Sequence, residues 1–201
     1  MRRNYALALL LLALSFIAVV AWQGGDGAMR AGIKIGESMP DFRLPDLDGK
    51  EHSLSSLRGK NGTVLIFIST QCPVSNAYNA RMEKLAEDYG ARGIAVIGIN
   101  ANATEPVDVV KRHAAEHNLK FTILKDHGNK LADRLGAQVT PEAFLFDASG
   151  KLVYHGRIDN SRDESQVQSQ DLRDAIEAIL AGRQVAKTEA RAFGCTIKRA
   201  S

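Results

Sequence analysis

Apolar positions along the chain alternate between strand-like and helix-like blocks. Val64-Leu65-Ile66-Phe67-Ile68 is a β-branched and aromatic run, which predicts a strand apolar on both faces and therefore central in a sheet. Ile94 to Ile99 reads the same way. Between them, Tyr78, Met82, Leu85 and Tyr89 recur at spacings of four, three and four, predicting a helix over 76–89 stopped by Gly90. Val107, Val110 and Ala114 mark the inner face of a second helix opened by Thr104-Glu105-Pro106. Residues 121–124 read as a short strand and 129–135 as a short helix closed by Gly136. Residues 143–146 form a strand that turns at Ala148-Ser149-Gly150 into another at 151–155. Residues 160–170 are a polar loop, and 171–180 are a helix with Leu172, Ile176, Ile179 and Leu180 inward, ended by Gly182. Residues 39–50 are short extended pieces around an Asp48-Gly49 turn, followed by one helical turn at 53–57. The tail, 185–201, shows no period. This order predicts an α/β fold with a central mixed sheet flanked by helices.

The first residues follow different rules. Arg2 and Arg3 precede Tyr5 to Trp22, eighteen residues without a charge. A basic start and an apolar stretch of this length fit a cleaved export signal or an uncleaved membrane anchor. The basic end stays inside, so the rest of the chain is expected on the exported, periplasmic or extracytoplasmic side. Residues 23–32 contain four glycines and read as a flexible linker. The domain is then 33–182, and 183–201 is a tail carrying Cys195.

Net charge is +3, but without Arg2 and Arg3 the count is 24 Lys+Arg against 23 Asp+Glu. A nearly neutral domain has no basic stripe for nucleic acid. With 201 residues and 45% hydrophobic positions the chain can bury a core without staples. Its two cysteines, Cys72 and Cys195, are therefore candidates for redox chemistry as well as for a structural bridge.

Cys72 follows the first buried strand by four residues and precedes a helix expected to begin near Asn76. Free N–H groups at a helix start favour thiolate over thiol. Thr70, Gln71, Ser75 and Asn76 make the surroundings polar, against an inert buried cysteine. Thr140-Pro141 lies just before a strand, and a cis bond there would let backbone approach the Cys72 loop. His113-x-x-Glu116-His117 matches a metalloprotease string, but no third ligand follows, so these residues read as a solvated helix end and no metal is expected. Glu142 and Arg157 read as surface or loop contacts.

Gly36-Glu-Ser-Met-Pro-Asp-Phe42, Leu57-Arg-Gly-Lys60, Val64 to Pro73 and Gly136-Ala-Gln-Val-Thr-Pro-Glu-Ala-Phe-Leu-Phe-Asp147 together resemble the redoxin part of the thioredoxin superfamily. The similarity is to the alkyl hydroperoxide reductase/thiol-specific antioxidant type, and Gly194-Cys195-Thr-Ile-Lys198 is similar to the ending of a peroxiredoxin-like branch. The resemblance implies a thioredoxin-like fold. It places Cys72 at the first, nucleophilic cysteine of a Cys-x-x-Cys motif whose second position is Ser75. In the peroxiredoxin pattern Ser69 and Cys72 fit, while the proline position is Leu65.

The implied activity is that of a thiol-dependent oxidoreductase acting on a protein disulfide or a peroxide, with an external thiol reductant and no cofactor. Cys72 is the expected nucleophile, Cys195 the candidate resolving thiol, and Thr140 and Pro141 the shapers of the substrate groove. Thirteen extended residues after Gly182 can span ~43 Å, so Cys195 can reach Cys72. The alternative is a non-enzymatic module that keeps the fold to recruit an exported partner. Membrane contact is expected only through residues 5–22. A reporter active only in the cytoplasm, fused after Ser201, should be silent; robust cytoplasmic signal overturns the export reading.

Overall fold

The computed structural model describes residues 32–39 and 41–200. The expected leader, 1–22, and all of the linker but Gly32 lie outside the described residues. Among the described residues no helix is long and apolar enough to cross a membrane.

Among the described residues the first strands form a hairpin, β1 (Arg43–Pro45) and β2 (Glu51–Ser53), turned around Gly49 at φ +83°. Ser53 caps the single turn α1 (Leu54–Leu57), accepting the Ser56 N–H at 3.2 Å. β3 (Gly62–Ile68) leads into α2 (Pro73–Ala77) and α3 (Asn79–Gly90). β4 (Ile94–Asn100), α4 (Val107–Glu116), β5 (Thr122–Lys125) and α5 (Lys130–Leu135) follow. β6 (Val139–Thr140) precedes the hairpin β7 (Glu142–Asp147) and β8 (Leu152–Gly156), and α6 spans Asp171–Leu180. The tail supplies β9 (Glu189–Ala190) and β10 (Cys195–Thr196).

Six strands form one mixed sheet in the order β5-β4-β3-β7-β8-β9. β3 pairs in parallel with β4 and antiparallel with β7, so its sequence reading as a central strand is correct. Every residue of β3 is buried, and its side chains alternate between two cores. Val64, Ile66 and Ile68 face Tyr78, Met82, Leu85 and Tyr89 of the 78–90 segment and Leu172 and Ile176 of α6. Leu65 and Phe67 face Leu54, Leu131 and Leu135 beneath the hairpin, and Ile197 of the tail joins them. Each such fully buried aliphatic side chain stabilises the fold by about 1.5–3 kcal/mol.

Two expectations need correction. The helix predicted from Asn76 begins at Pro73 and breaks at Tyr78, because Pro73 occupies the first helical position, where a missing N–H costs nothing. The tail, which shows no period, contains two short strands. β9 extends the sheet beside β8, and β10 pairs with β6.

Ion pairs anchor the approach to the tail. Asp171, at the start of α6, accepts Arg157 Nε at 2.8 Å, Lys187 Nζ at 2.6 Å and Ser169 Oγ at 3.0 Å. Burial pushes the Asp171 carboxyl up, but these hydrogen bonds outweigh it and hold it at about 2, against an ordinary value of 3.8. A carboxyl depressed in the folded state contributes stability that is present above its unfolded value and lost as pH falls through the folded one. Asp171→Asn should therefore lower stability at neutral pH by about 2 kcal/mol. The gap from the parent in chemical unfolding should narrow as pH falls from about 4 towards about 2. An equal gap throughout that range overturns the assignment.

Candidate active site

The end of β3, the start of α2, the loop before β7 and the tail converge on Cys72. Cys72 has extended backbone, φ −91° and ψ 113°, and is the N-cap of α2. Its Sγ accepts the Ser75 N–H at 3.3 Å. Ser75, where a Cys-x-x-Cys motif would have its second sulfur, turns its hydroxyl the other way and accepts the Ser69 N–H at 3.1 Å. In the thiol form Cys72 donates to the Thr140 carbonyl at 3.2 Å. The Thr140–Pro141 bond is cis.

The tail completes the site. β10 pairs antiparallel with β6, with Cys195 opposite Thr140 and Thr196 opposite Val139. This brings the Cys195 thiol beside the Cys72 sulfur, close enough for each to bias the other's ionisation. Both cysteines are free. Gly194, at φ +155°, permits the approach: a Cβ there would meet the Thr140 carbonyl oxygen at 1.9 Å. Beyond the strand, Ile197 N–H donates to Gln138 O at 2.9 Å, and the Ile197 side chain is buried. Asn129 Oδ1 accepts the Ala200 N–H at 2.7 Å, and Arg199 pairs with Asp133 at 2.8 Å.

Cys72 is 1% exposed, more enclosed than its polar neighbours suggested. Burial pushes its thiol up. The neighbouring Cys195 thiol, the Ser75 N–H on the sulfur and the polar Thr140 side chain outweigh that and hold it below the ordinary cysteine value. Cys195 is shifted the other way, raised by burial and by the neighbouring Cys72 sulfur. The pair is thus divided into a preferred thiolate and a preferred thiol.

All four sequence-expected residues, Cys72, Cys195, Thr140 and Pro141, stand together. Glu142 is not the surface contact expected of it. Its buried carboxylate accepts the N–H groups of Gln138 and Val139 at 2.7 and 3.0 Å and pairs with His155 at 2.6 Å, fixing the turn into β6. The chain reversal around Pro141, which brings Glu142 back under its own loop, is invisible to hydrophobic periodicity. Arg157 makes the loop contact with Asp171 already described. His113 is half-buried rather than solvated, with its Nε2 3.0 Å from Asn79 Nδ2, while His117 is exposed. Burial, and then the neighbouring His117, lower the His113 pKa. Among the described residues no group of three His, Cys, Asp or Glu side chains could hold a metal ion.

The opposed shifts give a pH dependence. With the Cys72 pKa lowered and that of Cys195 raised, the thiolate population of Cys72 survives to lower pH. In the reduced protein, the ratio of Cys72 to Cys195 labelling by iodoacetamide should rise as pH is brought from about 9 to about 7. A ratio that falls, or Cys195 labelled first at neutral pH, reverses the assignment.

A profile of the AhpC/TSA family matches residues 35–155. A thiol-disulfide oxidoreductase ResA from Halalkalibacterium halodurans is 32% identical over 153 residues, 76% of this chain and 85% of that protein. The crystal structure of a hypothetical protein from Sinorhizobium meliloti superposes with a TM-score of 0.78 at 33% identity, covering 85% of this chain and 97% of that one. That of an uncharacterized conserved protein from Geobacillus kaustophilus gives 0.78 at 30% identity, covering 84% and 93%. The match spans β1 to β8, including the Cys72 loop and the cis-proline turn, and with the relatives it shows that the chain belongs to the AhpC/TSA family, with the thioredoxin-like fold.

Proposed function

We propose that this protein is a thiol-disulfide oxidoreductase in which Cys72 attacks and Cys195 resolves. One observation carries the reading: β10 seats Cys195 opposite Thr140, beside the Cys72 sulfur. Similarity to proteins named thiol-disulfide oxidoreductase supports it.

The Cys72 thiolate attacks one sulfur of a disulfide R–S–S–R′. The R–S–Cys72 bond forms, the substrate S–S bond breaks, and R′–S⁻ leaves and takes up a proton. Cys195 then loses its proton and attacks the Cys72 sulfur. The Cys72–Cys195 bond forms and R–S⁻ leaves. Two thiols of the protein are oxidised and one substrate disulfide is reduced to two thiols. An external dithiol reverses the sequence and restores the reduced pair. The Ser75 N–H stabilises the Cys72 thiolate when it attacks and again when it is the leaving group, since a lower pKa makes a better leaving thiol.

The enclosure of Cys72 shapes access. Val139 and Thr140 offer their strand edge to β10, so an extended polypeptide substrate has to displace the tail before pairing there. The polar cradle and lowered thiol favour this enzymatic reading over a non-enzymatic recruiting module. Peroxide as substrate has less support, because Leu65 stands at the proline position of the peroxidase pattern and lies in the core of β3. Residues 1–22 as an export segment, 23–32 as a tether, 33–182 as the catalytic domain and 183–201 as the resolving tail complete the proposal, placing the chemistry in an oxidising compartment.

Peptide mapping without reductant, after mild oxidation, should recover Cys72 linked to Cys195. Cys195→Ser should accumulate Cys72 as a mixed disulfide with substrate and slow turnover at least ~10-fold, the loss expected when an intramolecular thiol is replaced by one from solution. Absence of the linkage in the parent, or normal turnover by Cys195→Ser, removes the resolving role.

A further inference from the structure

Behind the Cys72 loop lies a buried carboxylate that the disulfide exchange does not use. Glu105 is 1% exposed and accepts five hydrogen bonds. Its Oε1 takes Ser69 Oγ–H at 2.5 Å, Asn102 Nδ2 at 2.9 Å and the Gln71 N–H at 3.3 Å. Its Oε2 takes Asn100 Nδ2 at 2.6 Å and the Thr70 N–H at 2.9 Å. Five converging donors require an acceptor at both oxygens, which an ionised carboxylate supplies and an amide does not. Burial pushes the Glu105 carboxyl up, yet the bonds from Ser69, Thr70 and Asn100 outweigh it and keep it ionised. Lys125, also buried, lies on the far side of the network and donates to Glu105 O at 2.6 Å, Asn100 Oδ1 at 2.6 Å and Asn102 O at 2.8 Å.

Besides Asn100 on β4, the donors divide into two groups. Ser69, Thr70 and Gln71 are the three residues before Cys72. Asn102 faces the tail: its Oδ1 accepts the Lys198 N–H at 2.7 Å, and the Ala103 N–H donates to Lys198 O at 2.9 Å. One carboxylate therefore grips the loop carrying one thiol and, through a single amide side chain, the segment that directly follows the strand carrying the other. A satisfied loop anchor would need only the first group.

We propose that Glu105 is a positioning residue that holds the Cys72 loop and the Cys195 strand in register and thereby sets the effective concentration of each thiol at the other. This rests on the reading of Cys72 and Cys195 as a reacting pair. The two sulfurs belong to segments far apart in sequence, so their alignment comes from what ties those segments together. A misplacement near 1 Å between reacting atoms costs about 10²-fold in rate.

The test equilibrates the full chain with mixtures of oxidised and reduced glutathione and reads the effective concentration of the pair from the fraction of Cys72–Cys195 disulfide. Each Cys72–Cys195 bond formed consumes one oxidised glutathione and yields two reduced ones. Glu105→Gln, which keeps shape but places donors against donors, should lower the effective concentration ~10-fold or more while the fold, checked by cooperative thermal unfolding, persists. Asn102→Ala should lower it too. In a Cys195→Ser background, Asn102→Ala should leave the iodoacetamide rate of Cys72 as in the parent, whereas Glu105→Gln should reduce it. A purely stabilising role would move the melting temperature but not this equilibrium. An effective concentration within twofold of the parent in folded Glu105→Gln overturns the inference alone. Should Glu105→Gln not fold, an unchanged value in Asn102→Ala overturns it. If the parent forms no Cys72–Cys195 disulfide at any glutathione ratio, the paired-thiol reading fails and takes this inference with it.

Discussion

Two residues of antiparallel pairing, β10 against β6, bring the chemistry of this molecule together. By itself a two-residue ladder is marginal in water. Here it is fixed at both ends. Gly194 lets the backbone press onto the Thr140 carbonyl, and beyond the strand Ile197 drops into the core beneath the sheet. Burying that isoleucine contributes about 2 kcal/mol, more than either ladder bond alone. The amides of Asn102 and Asn129 then satisfy the backbone that follows. The tail is therefore part of the folded domain, and the second sulfur of the site is set by packing.

What could be read from the sequence follows from the range of the interactions involved. β3 was legible because a strand buried on both faces must be continuously apolar, and α6 because one helix face must repeat. Cys72 was legible because it stands between a buried strand and a helix, among polar neighbours. The tail was not, because its partners are loops around Gln138, Asn102 and Asn129, which impose no period on the residues they hold. Glu105 was read as part of a helix opening, and nothing local to Thr104-Glu105-Pro106 tells that its donors come from Ser69 to Gln71. Glu142 was missed for the same reason. Long-range polar contacts are written in side-chain identity at distant positions, not in spacing.

The two buried carboxylates near the site share one design. Glu142 holds the backbone before β6, and Glu105 holds the backbone before Cys72. In each case an acid inside the protein costs desolvation, and backbone N–H groups that would otherwise lack partners offset it. The loops on both sides of the sulfurs are thereby fixed by acceptors rooted in or beside the sheet strands β4 and β7.

Ser75 carries a consequence of its own. Because it leaves Cys72 without a neighbouring sulfur, the nearest thiol lies across 122 intervening residues, and a bond to it closes most of the domain into a covalent ring. In the chain-entropy description a ring of that size disfavours the unfolded chain by ~5 kcal/mol. A vicinal pair four residues long would give far less. Under the proposed exchange, electron transfer to or from this site is thus coupled to the cohesion of the whole fold: whatever factor the native structure contributes to joining the sulfurs, their bond would contribute to the native structure.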